Sequence, residues 1–153
     1  MLTTIGLCLL LFREGDADQV ARKIEKDLRS AKYLKVSYST EGGTLQEAML
    51  ITDPDEVRSV TAAIGVEETQ EGLQAGLIPM CRVVFILPDG KMMEINLAGP
   101  KGLDQSFWGQ IYLRDDKFYR KLSEAASKHA GRKIDVLRQN PKPGPEVREP
   151  RRP

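Results

Sequence analysis

The stretch that decides the fold is Met80-Cys-Arg-Val-Val-Phe-Ile-Leu87, followed by Pro88-Asp-Gly90 and then by Lys91-Met-Met-Glu-Ile-Asn-Leu97. Both flanks are rich in residues that favour β-strands, and Pro88 and Gly90 supply the fixed φ and the positive φ that a tight turn needs. The stretch therefore predicts a β-hairpin between residues 80 and 98. It concerns the fold, and no catalytic, metal or cofactor motif of comparable clarity occurs in the chain of 153 residues.

A helix and a second hairpin are predicted on the N-terminal side of this stretch. Apolar residues recur at helical spacing over residues 17–31, and strict alternation then predicts strands over 33–39 and 45–52. Gly42 and Gly43 lie between the two strands, and adjacent glycines favour a hairpin turn. The helical stripe consists of Val20, Ile24, Leu28 and Ala31, and the first strand has Leu34, Val36 and Tyr38 on one face.

Asp53-Pro-Asp-Glu56 predicts the start of a second helix. Asp53 suits the N-cap, Pro54 suits the first helical position, and Glu56 is placed to reach back as in a capping box. A cation site is the less favoured interpretation, because calcium loops need several oxygen ligands at prescribed spacing. The predicted buried stripe of this helix is Val57, Val60 and Ile64.

A short strand is predicted over residues 66–69, before the central hairpin. After the hairpin, the sequence predicts a strand over 106–113, a last helix after residue 116 and a short strand over 133–137. Alternation in the strand over 106–113 separates two sets of side chains. Phe107, Ile111 and Leu113 fall on one face, and Trp108, Gln110 and Tyr112 fall on the other. The last helix has the stripe Phe118, Leu122 and Ala125, and Gly131 follows its expected end.

The order of elements predicts an α+β fold. Strands joined by tight turns are antiparallel, so we expect an antiparallel sheet of about five to six strands, a hairpin plus a meander, with three amphipathic helices chiefly on one face. A dinucleotide-binding crossover fold is disfavoured, because neither G-x-G-x-x-G nor a Walker loop occurs. Residues 15–139 form the predicted single domain, 1–14 a signal-peptide remnant or apolar N-terminal segment, and 140–153 a disordered tail rich in Pro and Arg.

An apolar octet, Ile5-Gly-Leu-Cys-Leu-Leu-Leu-Phe12, is the clue to location. It is far shorter than the roughly 20 residues that span a bilayer, but it fits the core of a signal peptide. No Lys or Arg precedes it and no clean small-x-small cleavage site follows it before Ala17. We expect no membrane-spanning segment and favour export or association with the cell envelope. A buried first element of a cytoplasmic protein is the alternative.

The stretch Leu50-Ile-Thr-Asp-Pro-Asp-Glu-Val57, followed by Val60, Ile64 and a hairpin closed by Pro-Asp-Gly, resembles small uncharacterised bacterial envelope-associated domains. Such domains place a capped helix before a meander. The resemblance covers roughly Tyr33 to Ala130 and rests on structural caps and turns. It implies an α+β fold and an envelope location, and it implies no activity, cofactor or site residue.

Few residues offer catalytic chemistry. His129 is the single histidine, so a site made of histidines is excluded. Cys8 and Cys81 lack the spacing of a disulfide framework or zinc site, and Cys81 alternates with Val83 and Phe85 as a buried apolar residue would. We therefore predict no catalytic residue, no metal site and no cofactor. A cofactor-free enzyme or small-molecule-binding domain, with acids contributed from separate elements, remains the alternative.

The preferred function is a non-catalytic interaction module that binds a protein partner. Trp108, Gln110 and Tyr112 share the strand face opposite Ile111. If Ile111 faces the helices, an aromatic pair stands on the open face of the sheet, where such residues favour interfaces. The alternative is that another segment covers this face. Nucleic acid is not an expected partner, because the excess of Lys and Arg in residues 128–153 is dispersed and lacks interleaved aromatics.

Overall fold

The computed structural model describes residues 8–40, 45–70, 79–105 and 109–138. These residues form three helices and seven strands. In chain order they are α1 (Cys8–Arg29), β1 (Tyr33–Ser39), β2 (Leu45–Ile51), α2 (Pro54–Ala62), β3 (Val66–Gln70), β4 (Cys81–Ile86), β5 (Met92–Gly99), β6 (Gly102–Gln105), β7 (Gly109–Leu113) and α3 (Lys117–Ala130).

All seven strands belong to one antiparallel sheet in the order β2-β1-β4-β5-β6-β7-β3. The α+β fold and the three helices are therefore confirmed, and the sheet has one strand more than the upper number expected. The additional strand is β6: the chain turns at Pro100 and Lys101, and Gly102 pairs with Gly99 of β5. Glycines that break a sequence pattern can still pair through their backbone, which a side-chain pattern does not reveal.

The predicted hairpin at Pro88-Asp-Gly90 is confirmed. β4 and β5 pair with Phe85 opposite Met93, and Leu87 N donates to Lys91 O at 2.8 Å to close the turn. Gly90 has φ +83°, the left-handed conformation that glycine adopts without steric cost. The hairpin thus lies inside the sheet, with β1 on one side and β6 on the other.

The core lies between one face of the sheet and the helices. Alternate strand residues, such as Val36, Val83 and Ile95, are fully buried there together with Leu28 of α1 and Leu122 of α3. The rings of Phe85 on β4 and Phe118 on α3 stack with centroids 6.1 Å apart, joining the centre of the sheet to the last helix. The helices therefore cover a single face, as the sequence pattern predicts.

Among residues 17–29, whose side chains the structure describes, helix α1 packs on this core from Ala21 onward. Residues 17–20 are all exposed, and four consecutive residues cover a full helical turn, so no side of the helix is buried at that level. The packed stripe consequently starts at Ala21 rather than at the predicted Val20, which is 48 % exposed. α1 also runs without a break through residue 14. In the described part of the chain, no helix combines the length and the apolar character needed to cross a membrane.

Helix α2 begins as predicted. Asp53 Oδ1 accepts a hydrogen bond from Glu56 N at 2.8 Å, and Pro54 occupies the first turn. The prediction that Glu56 completes a capping box is wrong, because its carboxylate turns to α3. There it pairs with His129 Nε2 at 3.2 Å and with Lys128 Nζ at 3.6 Å. The capping sequence therefore also joins α2 to α3.

Helix α3 ends at Gly131, which has φ +63°, as expected for a left-handed C-cap. The predicted strand over 133–137 does not form. Its apolar residues Ile134 and Val136 are nevertheless buried, and Ser127 on α3 accepts a hydrogen bond from Ile134 N at 2.8 Å. The segment packs on the helix and so needs no strand partner. The predicted tail over 140–153 lies outside the described residues.

Candidate interaction surface on the open face of the sheet

The face of the sheet opposite the core carries the candidate site. Strand side chains alternate between faces, so the neighbours of buried residues project away from the helices. Among the described residues, no helix or strand lies on this open face, and its side chains are half-buried or exposed over most of its width. A sheet face of this kind must be solvated or must meet a partner.

An apolar corner occupies the open face where β2, β1, β4 and β5 lie side by side. We define it as Tyr33, Leu50, Val84, Ile86 and Met92. Tyr33 is opposite Ile86, and Ile86 is opposite Met92, so these three form one row across the strands. Leu50 and Val84 flank Lys35 in the next row. The corner therefore spans four neighbouring strands, with Lys35 between Leu50 and Val84.

Exposure distinguishes this corner from the rest of the described surface. Of the four large hydrophobic residues that are strongly exposed there, three belong to the corner: Tyr33 at 39 %, Leu50 at 55 % and Met92 at 72 %. Isolated exposed apolar residues are ordinary, whereas adjacent ones on a flat face mark interaction sites. The fourth such residue, Val20, lies on α1 away from this face.

A polar row borders the apolar corner. Arg82 Nε on β4 lies 3.2 Å from Asn96 Oδ1 and 3.1 Å from Glu94 Oε1 on β5. These cross-strand contacts hold the guanidinium against the sheet. The row gives the corner a polar border, which is the usual surrounding of the apolar centre of a protein interface.

The predicted residues Gln110 and Tyr112 also lie on the open face, at the opposite end of the sheet from β2. Both are half-buried on β7, while Ile111 and Leu113 are buried in the core. The Tyr112 hydroxyl donates to Gln110 Oε1 at 2.5 Å and lies 3.4 Å from Gln70 Oε1 on β3. Trp108 lies outside the described residues. The aromatic pair of Trp108 and Tyr112 therefore stays a prediction. Gln110 and Tyr112 lie on the strand face that the alternation predicts.

The sequence pattern did not single out the apolar corner, although a signal was present. Leu50 and Met92 each stand next to a second apolar residue, Met49 and Met93, so alternation leaves one of each pair facing outward. Tyr33 is two residues before Lys35 and therefore lies on the same strand face as this charged residue. Only the order of strands shows that these three residues, which are remote in sequence, belong to one corner of the sheet.

A cleft lies at the start of β4. It has a volume of about 430 Å³ and is lined by Met80, Leu97, Tyr119, Asp135 and Arg138, among others. The Tyr119 hydroxyl donates to Asp135 Oδ1 at 2.9 Å, and Arg138 Nε lies 3.3 Å from Asp135 Oδ2. Burial, together with the hydrogen bond to Asp135, raises the pKa of Tyr119. The cleft could hold a small molecule with apolar and hydrogen-bonding parts.

Cys81 and His129, the other side chains with catalytic chemistry, have structural contacts in the fold. Cys81 is fully buried, as predicted, and desolvation raises the pKa of its thiol to about 12. His129 pairs with Glu56 rather than with helix-terminal carbonyls. Within the described ranges, no three His, Cys, Asp or Glu side chains are grouped so that they could hold a metal ion.

Comparisons with protein-family models, with curated proteins and with solved structures found no match to this chain.

Proposed function

We propose that this protein is a non-catalytic interaction module that binds a protein partner through the open face of its sheet. The observation that carries the proposal is the apolar corner, in which Leu50 on β2, Tyr33 on β1 and Met92 on β5 are exposed, with Ile86 on β4 between Tyr33 and Met92. Burial of such residues against a partner removes apolar surface from water, at about 25 cal/mol per Å². Tyrosine and methionine are also enriched in interfaces.

The rest of the open face supplies specificity in this proposal. Arg82, Glu94 and Asn96 form a braced polar row beside the corner. Gln110, Tyr112 and, by prediction, Trp108 form the second contact region. The first region reaches β5, and β7 lies two strands further on, so at about 4.8 Å per strand the facing edges of the two regions are about 10 Å apart. A partner that reaches both regions would contact most of the sheet's width.

We further propose that the protein works in the cell envelope. Support comes from the apolar octet Ile5–Phe12, which has the length of a signal-peptide core. Sequencing the N-terminus of the protein recovered from its native host, together with fractionation, tests this. A mature start at Met1 in the cytosolic fraction would contradict the envelope location without affecting the proposed binding face.

The binding proposal is tested by affinity capture from native envelope and cytosolic fractions, followed by mass spectrometry. The parent is compared with the double variant Tyr33→Ser/Met92→Ser and with Val20→Ser as the matched control. Val20 is equally apolar and exposed but lies off the face. We expect a partner retained by the parent and the control and lost from the double variant. With that partner purified, binding should weaken by about tenfold or more.

Circular dichroism and thermal unfolding of each variant confirm that the comparison is made between folded proteins. A partner set that is the same for all three proteins would show that the apolar corner is not the contact surface. Adding Trp108→Ala to the series tests the predicted aromatic region separately.

Small-molecule binding in the Tyr119 cleft is the second candidate function. Its support is the volume of about 430 Å³ and the presence of a tyrosine hydroxyl, a carboxylate and a guanidinium in one place. A ligand screen by thermal shift, with Tyr119→Phe as the variant, tests it. Hits whose stabilisation does not depend on Tyr119 would count against the cleft.

A further inference from the structure

A groove beside α1 gathers positive charge. It has a volume of about 490 Å³ and is lined by α1, by Val66 at the start of β3, and by Arg114 in the turn after β7. We define the basic groove as Arg22, Lys26, Arg29 and Arg114 around a single carboxylate, Glu25. The four cations and one carboxylate leave a formal charge of +3 in this small volume.

The cations converge because of helix geometry and a backbone contact. Arg22, Lys26 and Arg29 are spaced at i, i+4 and i+7, so they lie along one face of α1. Arg114 approaches from the other side, where its backbone N–H donates to Gly65 O at 2.9 Å. Two separate parts of the chain therefore contribute charge to the same groove.

Part of the groove is rigid. Arg29 donates from Nε and Nη2 to Ile64 O at 2.8 and 2.6 Å, and its Nη2 lies 3.1 Å from Glu25 Oε1. Glu25 in turn accepts a hydrogen bond from Val66 N at 2.8 Å. These bonds fix one guanidinium and the central carboxylate before any ligand arrives, which lowers the entropic cost of binding.

Two of the remaining cations, Arg22 and Lys26, lack such partners, whereas Arg114 Nη2 lies 3.9 Å from Glu25 Oε2. Throughout the part of the chain that the structure describes, no carboxylate lies within ion-pair distance of Arg22 or Lys26. Helix α3 shows the contrast, because all its Lys and Arg residues pair with a carboxylate: Lys117 with Asp115, Arg120 with Asp116, Lys121 with Glu124 and Lys128 with Glu56. Like charges one helical turn apart repel each other, so an anion in the groove would relieve the repulsion.

The groove favours a small anion over a long one. Glu67 follows Val66 directly along β3 and is exposed, and Asp18 lies one turn before Arg22 on α1. These carboxylates bound the positive region at both ends and would repel an extended polyanion. Guanidinium groups bind tetrahedral and planar oxyanions through paired hydrogen bonds, which an ammonium alone cannot arrange.

We infer that the basic groove is a binding site for a small polyvalent oxyanion, with a diphosphate as the simplest ligand of this class. It shares no residue with the open face of the sheet, so it can be tested apart from the proposed interaction function.

Isothermal titration of the full chain with inorganic pyrophosphate, at constant ionic strength, tests the inference. The groove variant is Arg22→Gln/Lys26→Gln, which leaves the bracing Arg29 in place. The matched control is Lys101→Gln/Lys133→Gln, which removes the same charge from exposed lysines outside the groove. We expect saturable binding at one site, about tenfold or more weaker in the groove variant and unchanged in the control.

A parallel titration with citrate shows whether the site prefers phosphate or carboxylate groups. Binding of either anion that depends on Arg22 and Lys26 supports the site, and the stronger of the two shows whether phosphate or carboxylate groups are preferred. Equal weakening in the groove variant and the control would mean diffuse attraction to the net charge, and it would overturn the inference. So would an absence of saturable binding of both anions, provided that thermal unfolding shows the parent to be folded.

Discussion

At the scale of single residues, Glu25 connects more of the fold than any sequence pattern suggests. Its carboxylate accepts the backbone N–H of Val66, pairs with Arg29 and lies 3.9 Å from Arg114. Only 18 % of the side chain is exposed. The residue thus satisfies the first backbone donor of β3 and fixes the end of α1 beside it, a role that depends on contact across 41 positions of sequence.

Replacing Glu25 with Ala should lower the free energy of unfolding by about 1–3 kcal/mol, because Val66 N loses its acceptor in a half-buried place. Glu25→Gln should recover part of this loss, since an amide oxygen can still accept that hydrogen bond. Urea unfolding of the three proteins measures both effects. A Glu25→Ala protein as stable as the parent would show that water replaces the carboxylate at no cost.

The burial of Cys81 predicts an inert thiol and a pH effect. Its pKa is raised to about 12 by desolvation, whereas the unfolded thiol has a pKa near 9.0. The stability that depends on the neutral thiol is therefore complete below pH 9 and declines as the pH rises towards 12. In a Cys8→Ser background, a thiol reagent at pH 8 should react with Cys81 only after denaturant is added. Rapid reaction of the native protein would contradict its burial.

At the scale of secondary-structure elements, helix α2 shows how the residues of the N-terminus stabilise a short helix. Asp53 caps Glu56 N, and Pro54 fixes the first helical turn. The helix is only nine residues long, so it depends on its cap and on the burial of Val57 and Val60. Both features follow from local sequence, which explains why this element was predicted correctly.

Replacing Asp53 with Ala should cost about 1 kcal/mol of stability, the usual effect of losing a side-chain N-cap. Asp53→Asn should be close to the parent, because asparagine keeps the acceptor oxygen. Chemical denaturation of the pair separates loss of the hydrogen bond from loss of charge. If the Asn variant is as unstable as the Ala variant, the charge near the helix N-terminus, rather than the cap, stabilises α2.

At the scale of the whole molecule, the sheet order places β4 near the centre and leaves β2 and β3 at the edges. β4 is hydrogen-bonded on both sides and carries the fully buried Val83 and Phe85. The edge strands have one neighbour each. Stability against local opening should therefore fall from the centre of the sheet outward.

Hydrogen–deuterium exchange followed by mass spectrometry should show the slowest exchange in β4 and faster exchange in β2 and β3. The fully deuterated denatured protein provides the reference for each peptide. Protection of β2 as strong as that of β4 would contradict its position at an exposed edge and would indicate that a partner or a second copy covers it.

Much of the fold could be predicted because it depends on local patterns. The alternation in β1 and β4, the cap at Asp53, the turn at Gly90 and the helix end at Gly131 all act within a few residues. The errors arose where contacts between elements compete with local preference. Glu56 leaves the capping box for His129, and residues 133–137 pack on Ser127 instead of forming a strand.

The sequence by itself determined the α+β class, the three helices, the central hairpin and the inward side of Cys81, because periodicity and turn chemistry are local. Only the tertiary structure decided the strand order, and with it the apolar corner of Tyr33, Leu50 and Met92. It also decided the meeting of Arg22, Glu25 and Arg114 in the basic groove. The reason is physical: these sites join residues that are remote in the chain, and their proximity depends on how the buried faces pack together.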